Sequence, residues 1–357
     1  MRVVDRVKRG VAPVLVRSGC LGLHRRVRAW TGRPAGATVL VFHRVGAAGP
    51  PGSALDTPLE AFREIVAFLR RECRVVPLDA AVSLPRAALP ARAVAITFDD
   101  GYRETLRVAA PVLAQAGLPW AVFLPVAYVG TRRLLWWDLL ACAARRLGAP
   151  AVLDLAGRVL AGAPGAGPAP GPAGVGGLVA ALKRAPDRAR RRVVRALERR
   201  LALDARGRRA GGAPGDDAEL APYRMLDWAE VRRLATAGVT LGAHSLTHPV
   251  LPTASEAVRR REIAGARGRL ARGAGVPVRY FAYPDGAADA RARRLVAAAG
   301  YRAAFLADAA ARADDPLRLP RKGLYTFSRA GGGFSAAVLA AELAGVFDGP
   351  ARLVGWR

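Results

Sequence analysis

The chain has 357 residues, 52% of them hydrophobic, enough for one large core or two ordinary ones, which excludes wholesale disorder. Its net charge of +28 would ordinarily point to nucleic acid. However, Lys8, Lys183 and Lys322 are the only lysines, and the arginines come with abundant Ala, Gly and Pro and no nucleic-acid-binding motif, so nucleic acid is not an expected partner.

Residues 1–35 form a basic amphipathic segment. Val3, Val4, Val7 and Val11 recur at helical spacing among Arg2, Arg6, Lys8 and Arg9. Such a face either lies peripherally on an anionic membrane or packs on the protein with its basic side in water. The segment lacks the continuous apolar stretch of a signal peptide, and no run of about eighteen apolar residues occurs anywhere. Cys20, Cys73 and Cys142 give neither a zinc spacing nor a disulfide framework, which fits a reducing compartment. The expected location is the cytoplasm or the cytoplasmic face of the membrane.

A single barrel-like domain is expected over 36–330, in which strands and helices alternate from Thr38 onwards. "TVLVFHRV" reads as a strand, 59–73 as a helix, "RVVPLDAAV" as a short strand and turn, and "AVAITFDDG" as a strand. A helix closed by Gly117 and the strand "PWAVFLPVAYVG" follow. After an interruption come the helix "MLDWAEVRRLATAG", the strand "VTLGAHSLTH", the helix 254–275, the strand "VRYFAYPDG", a helix, and the strands "YRAAFLA" and "PLRLPR". About seven such units predict an α/β fold, a distorted (β/α)7-type barrel of parallel strands whose functional residues sit where strands end. The interruption, about 130–222, reads as a helical insertion on a barrel loop, not a separate domain. It carries a Gly/Pro-rich stretch at 161–177 and one basic helix from Leu178. Residues 331–357 are expected to be a C-terminal helix and tail.

Two features carry chemistry. The strand "AVAITF" runs directly into Asp99 and Asp100, and two adjacent buried carboxylates repel unless a cation or a shared task explains them. Two of the four histidines form "HSLTH", where His244 and His248, four apart, can point the same way from one helical turn and grip one ion. His43 also ends a predicted strand. Two imidazoles and a carboxylate make a three-ligand site with open positions, with zinc the default divalent metal and cobalt, nickel or iron alternatives. The second aspartate is then free to act as a base.

These motifs in this order resemble the NodB-like polysaccharide deacetylases, carbohydrate esterase family four. "TFDDG" resembles the first motif, which implies Asp99 as catalytic base and Asp100 as metal ligand. "HSLTH" resembles the second, with His244 and His248 as the other ligands. "FAYPDG" is similar to the third, which lines the substrate groove through Tyr283 and Pro284 and offers the Asp285 N–H to the oxyanion. "VFHRV" and "PLRLPR" are similar to segments of exopolysaccharide-associated bacterial members, and the resemblance spans 38–325. It implies a hydrolase that removes N-acetyl groups from an N-acetylated saccharide, the alternative being a degenerate saccharide-binding relative. Ala282 stands where many members carry an Arg that orients the base, so Arg321 or Lys322 is expected to supply that cation. No histidine follows His248, so the acid is His43, a water or the metal. Tyr102, Tyr283, Trp136 and Trp137 are candidates to stack on sugar faces, though for the tryptophans packing within the insertion is the competing role.

Overall fold

The computed structural model describes residues 3–22, 36–46, 55–161, 174–201, 220–307, 314–327 and 333–347. His24, most of the Gly/Pro-rich stretch 161–177, residues 23–35 of the basic segment and the tail 348–357 lie outside them.

The strands are β1 (Thr38–Phe42), β2 (Arg44–Val45), β3 (Asp56–Thr57), β4 (Arg74–Val75), β5 (Ala93–Phe98), β6 (Trp120–Leu124), β7 (Thr240–Ala243), β8 (Tyr280–Ala282), β9 (Ala303–Phe305) and β10 (Lys322–Gly323). The main sheet is parallel, in the order β10-β1-β5-β6-β7-β8-β9, and β4 pairs the start of β5 while β6 pairs its end. Central β5 is buried at every residue, as a parallel strand covered on both faces must be. The segment 316–323 joins the two edges. Leu319 bridges Phe305 of β9, and Lys322 then pairs with Leu40 of β1. The result is a distorted parallel barrel. The expected strand "PLRLPR" is reduced to that single bridge, because Pro316 and Pro320 have no N–H to give to a ladder.

Strand alternation sorts the core into two layers. Val94, Ile96 and Phe98 of β5, Val122 and Leu124 of β6, Phe281 of β8 and Ala304 of β9 face the surrounding helices. Ala95, Ala121, Phe123, Tyr280, Ala282, Ala303 and Phe305 fill the barrel interior. Gly242 of β7 is needed there: a Cβ would fall 2.3 Å from the Phe123 ring. The outer helices include Leu59–Glu72, Trp228–Thr236, Glu256–Ala274 and Ala290–Ala298. Asp227 and Glu230 form a reciprocal cap at the start of the second of these. "PLDAAV", expected as a turn, contains the short helix Leu78–Ser83. The helix after Asp100 opens with a wide π turn, Thr105–Ala109, before regularising at Ala110–Ala116. Pro111 lacks the N–H that an ordinary helical bond to Arg107 would need.

Among the described residues the insertion contains four helices, Trp136–Leu147, Ala149–Ala161, Gly174–Arg184 and Asp187–Arg200, around a core of their own that includes Leu140, Val152, Leu178, Val193 and Leu197. The single basic helix expected from Leu178 is two, broken at Pro186, where the ring forbids continuation. The helix Ala149–Ala161 was not expected from the sequence at all. The N-terminal helix Val3–Arg17 packs on the C-terminal helix Ala336–Leu343. Ala12 enters the main core, and Lys8 pairs with Glu342 at 2.7 Å. No helix among the described residues is long and apolar enough to cross a membrane.

Candidate active site

Strand parity places the site. The inward-facing positions Val39, Ala95 and Gly242 are followed, at even steps along the chain, by His43, Asp99 and His244, each one residue past its strand. All three therefore meet at the C-terminal mouth of the barrel, the end where parallel barrels gather their chemistry.

Asp99 is clamped by Arg321. Nη1 donates to Oδ1 at 2.7 Å and Nη2 to Oδ2 at 2.6 Å, while Nε donates to the Leu306 carbonyl at 3.0 Å. Burial would raise Asp99, but the facing guanidinium outweighs it and, with His244, holds the carboxyl down at about 2. Parity also explains why Arg321 rather than Lys322 takes this position. Lys322 faces the other side of β10 and donates to the Glu342 carbonyl.

The "HSLTH" segment is not helical. Ser245 and His248 have φ of 63° and 55°, and the Ser245 Oγ accepts the His248 N–H at 3.0 Å, so a tight turn instead of a helix face brings the two imidazoles together. The turn is held from outside by Glu262, buried on the helix Glu256–Ala274. It accepts the Leu246 and Thr247 N–H groups at 2.9 and 2.7 Å and the Thr247 hydroxyl at 2.7 Å. His244 Nδ1 lies 2.8 Å from the Ala282 carbonyl, an acceptor that requires the proton on Nδ1 and leaves the Nε2 lone pair free. The two Nε2 atoms lie 3.1 Å apart, and Asp100 Oδ1 is 3.4 Å from His248 Nε2 and 3.7 Å from His244 Nε2. Tetrahedral coordination at zinc–nitrogen distances would separate two imidazole nitrogens by about 3.3 Å.

Neither oxygen of buried Asp100 has a hydrogen-bond partner, and burial, then the charges of Asp99 and Asp138, push its carboxyl well above the usual range. Burial likewise pushes His248, beside His244, well below the ordinary imidazole value. An unpartnered carboxylate and two imidazole nitrogens that converge within 4.8 Å of one another fit a divalent cation. His43 is held to about 4 by burial, against the pull of Asp99, and so is neutral at pH 7. Its ring lies 6.4 Å from that of Tyr325.

Two of the expected sugar-stacking residues are placed otherwise. Tyr102 is fully buried, with its hydroxyl donating to Asp138 at 2.6 Å. Tyr283 follows inward-facing Ala282, so parity sends its ring into the outer core, where it donates to the Leu317 carbonyl at 2.9 Å. Pro284 is buried as well. Asp285 stands at the rim in a left-handed turn with φ of 57°, paired with Lys183 of the insertion. The turn's own bonds come from the Gly286 and Ala287 amides, leaving the Asp285 amide outside them. Trp137 sets its ring against His248, with centroids 4.6 Å apart, while Trp136 joins the insertion core. Glu262, Asp138 and Lys183 carry no local sequence signal, because each acts across a long separation in the chain.

Residues 205–304 match the family model described as polysaccharide deacetylase, a span that holds "HSLTH" and "FAYPDG". Over that span the chain resembles the polysaccharide deacetylases. These are hydrolases of carbon–nitrogen amide bonds, and "TFDDG", outside the matched span, is delivered to the same site by β5. IcaB from Ammonifex degensii is similar in structure, with a TM-score of 0.53 and 19% identity over 87% of this chain and 97% of its own. Deacetylase PplD of Streptococcus pyogenes, solved with acetate, gives 0.51 and 15% over 84% and 96%. A de-N-acetylase from Aggregatibacter actinomycetemcomitans gives 0.51 and 13% over 85% and 99%. At these identities the likeness is one of fold. No curated protein matches the sequence.

Proposed function

We propose that this chain is a metal-dependent hydrolase that removes acetyl groups from an N-acetylated sugar of a polysaccharide or glycan precursor. The observation that carries this reading is the division of one aspartate pair into two states. Asp99 is kept ionised by a two-pronged guanidinium, and Asp100 is left unpartnered against two imidazole nitrogens. A divalent ion held by Asp100, His244 and His248, with zinc the default for this donor set, would polarise the acetamide carbonyl and acidify a water. Asp99 accepts the proton of the attacking water. The Asp285 amide donates to the oxyanion. As the carbon–nitrogen bond breaks, the proton held on Asp99 passes to the leaving nitrogen, giving acetate and a free amine. Burial holds His43 to about 4, so the imidazolium that would serve as an acid is a minor form at pH 7 in the resting site. The deacetylases among the structural neighbours support the same chemistry.

The test is acetate release from N-acetylglucosamine oligomers, with chelator or with added zinc or cobalt, beside Asp99→Asn. Metal-dependent release that disappears in the variant is the expected result. Tight metal binding with no release from any acylated saccharide would favour the saccharide-binding alternative.

The N-terminal helix supports a peripheral contact with an anionic membrane. Its packed face holds Ala12 and the Lys8–Glu342 pair, whereas Val7, Val11 and Val14, 45%, 42% and 63% exposed, form an outward stripe flanked by exposed Arg6 and Arg17. Sedimentation with phosphatidylglycerol-containing vesicles, weakened by salt and by Val11→Asp with Val14→Asp, is expected. Equal binding by that variant would refute it.

A further inference from the structure

The inserted helices reach the catalytic mouth through two adjacent residues, Trp137 and Asp138. Asp138 is 1% exposed and divides its oxygens between two barrel residues. Oδ1 accepts Arg44 Nη1 at 2.8 Å, and Oδ2 accepts the Tyr102 hydroxyl at 2.6 Å. Arg44 immediately follows His43, bonds Asp56 through Nε at 2.5 Å, and lies over the Tyr102 and Tyr223 rings at 4.8 and 5.4 Å. Tyr102 ends the short turn that begins at Asp100, a turn in which Asp100 itself has φ of 71°. Trp137, the residue before Asp138, sets its ring against His248. A single carboxylate contributed by the insertion is thus within two residues of His43, Asp100 and the residue that walls His248.

We propose that Asp138 is a positioning residue of the active site, holding the Asp100 turn through Tyr102 and the His248 ring through Trp137, so that the insertion sets the geometry of the cation site. This rests on the metal-dependent reading above. The insertion has no need of this carboxylate merely to pack, since it has its own apolar core. Burying a carboxylate on a guanidinium and a phenol is a weak source of stability but fixes direction at both ends. Outer partners of metal ligands typically govern affinity by about 10–100-fold.

The experiment uses the full-length protein with its four histidines isotopically labelled, the imidazole signals being assigned by single His→Gln variants. Zinc affinity is measured by calorimetry on the same samples. Tyr102→Phe removes one hydrogen bond and keeps the ring, and Asp138→Asn keeps the shape. Each is expected to move the His248 signal of the metal-free protein in the direction seen for Trp137→Leu. Each should also weaken zinc binding by about 10–100-fold, the pair together costing little more than either alone. Asp154→Asn, on the exposed side of the insertion, should change neither. His248 signals unmoved by both Tyr102→Phe and Asp138→Asn, but moved by Trp137→Leu, would overturn the proposal. A wild-type protein that binds no zinc would instead overturn the metal-dependent reading, and the imidazole signals would still decide whether Asp138 positions the ring.

Discussion

Replacing Arg321 with Met removes the cation facing Asp99 while leaving an unbranched stem between Phe123 and Phe305. What remains is a carboxylate that is 3% exposed and has lost both of its charge-assisted hydrogen bonds. Removing one partner of a buried pair costs about 3–5 kcal/mol. In the wild type, Asp99 sits at about 2, below the value near 3.9 of an unfolded chain. Its contribution of about 2–3 kcal/mol is therefore complete above pH ~5 and is lost as pH falls towards 2. Without the guanidinium, burial dominates and raises Asp99 above its unfolded value, so the variant loses stability as pH rises. Urea unfolding of the metal-free protein is expected to show a loss of about 3–5 kcal/mol at pH 7.5 and a much smaller one at pH 3.5. Arg321→Met with Asp99→Asn should recover at least half of the neutral-pH loss, since no buried charge is left. An equal loss at both pH values with no recovery would refute the reasoning. It would assign the cost to the bonds from Arg321 to Leu306 and Thr97.

Asp100→Asn should abolish tight zinc binding in calorimetry yet raise the melting temperature of the metal-free protein at neutral pH, because it removes a charge that burial and Asp99 both oppose. Because His43 is held at about 4, the unfolded chain takes up its proton first, and metal-free stability should fall by up to about 3 kcal/mol as pH drops from 6.5 towards 4. Melting curves across that range should flatten in His43→Gln. Gly286 has φ of +64°, and a Cβ there would lie 2.6 Å from the Ala307 backbone nitrogen, so Gly286→Ala must displace the turn that carries Asp285. Acetate release is expected to fall severalfold with zinc affinity unchanged.

Much of the site could be read from the sequence because parallel strands have a period of two and end abruptly. Counting from the apolar runs puts His43, Asp99 and His244 on one side of their strands, and the motif spacing adds Asp100 and His248. The same count, applied to "RYFAYPDG", sends Tyr283 outward. Its expected role as a sugar platform gave way to parity that was already present in the chain. The choice between Arg321 and Lys322 was not available in that way, because β10 is two residues long and its phase follows from where Leu319 meets β9. Pro186, which splits the basic helix, was visible as a residue, yet an amphipathic pattern runs through it on both sides.

The sequence by itself determined the alternation of short strands and helices, the aspartate pair at one strand end and the histidine pair at another. These are local matters of hydrophobic period and residue chemistry. Tertiary structure decided which groups answer one another. Arg321 reaches Asp99 from 222 residues away, Glu262 braces the histidine turn from the neighbouring helix, and Asp138 ties the insertion to the barrel through Arg44 and Tyr102. The physical reason is that a buried charge takes its partner from whatever the closing barrel brings within about 3 Å, and no local pattern along the chain records that meeting.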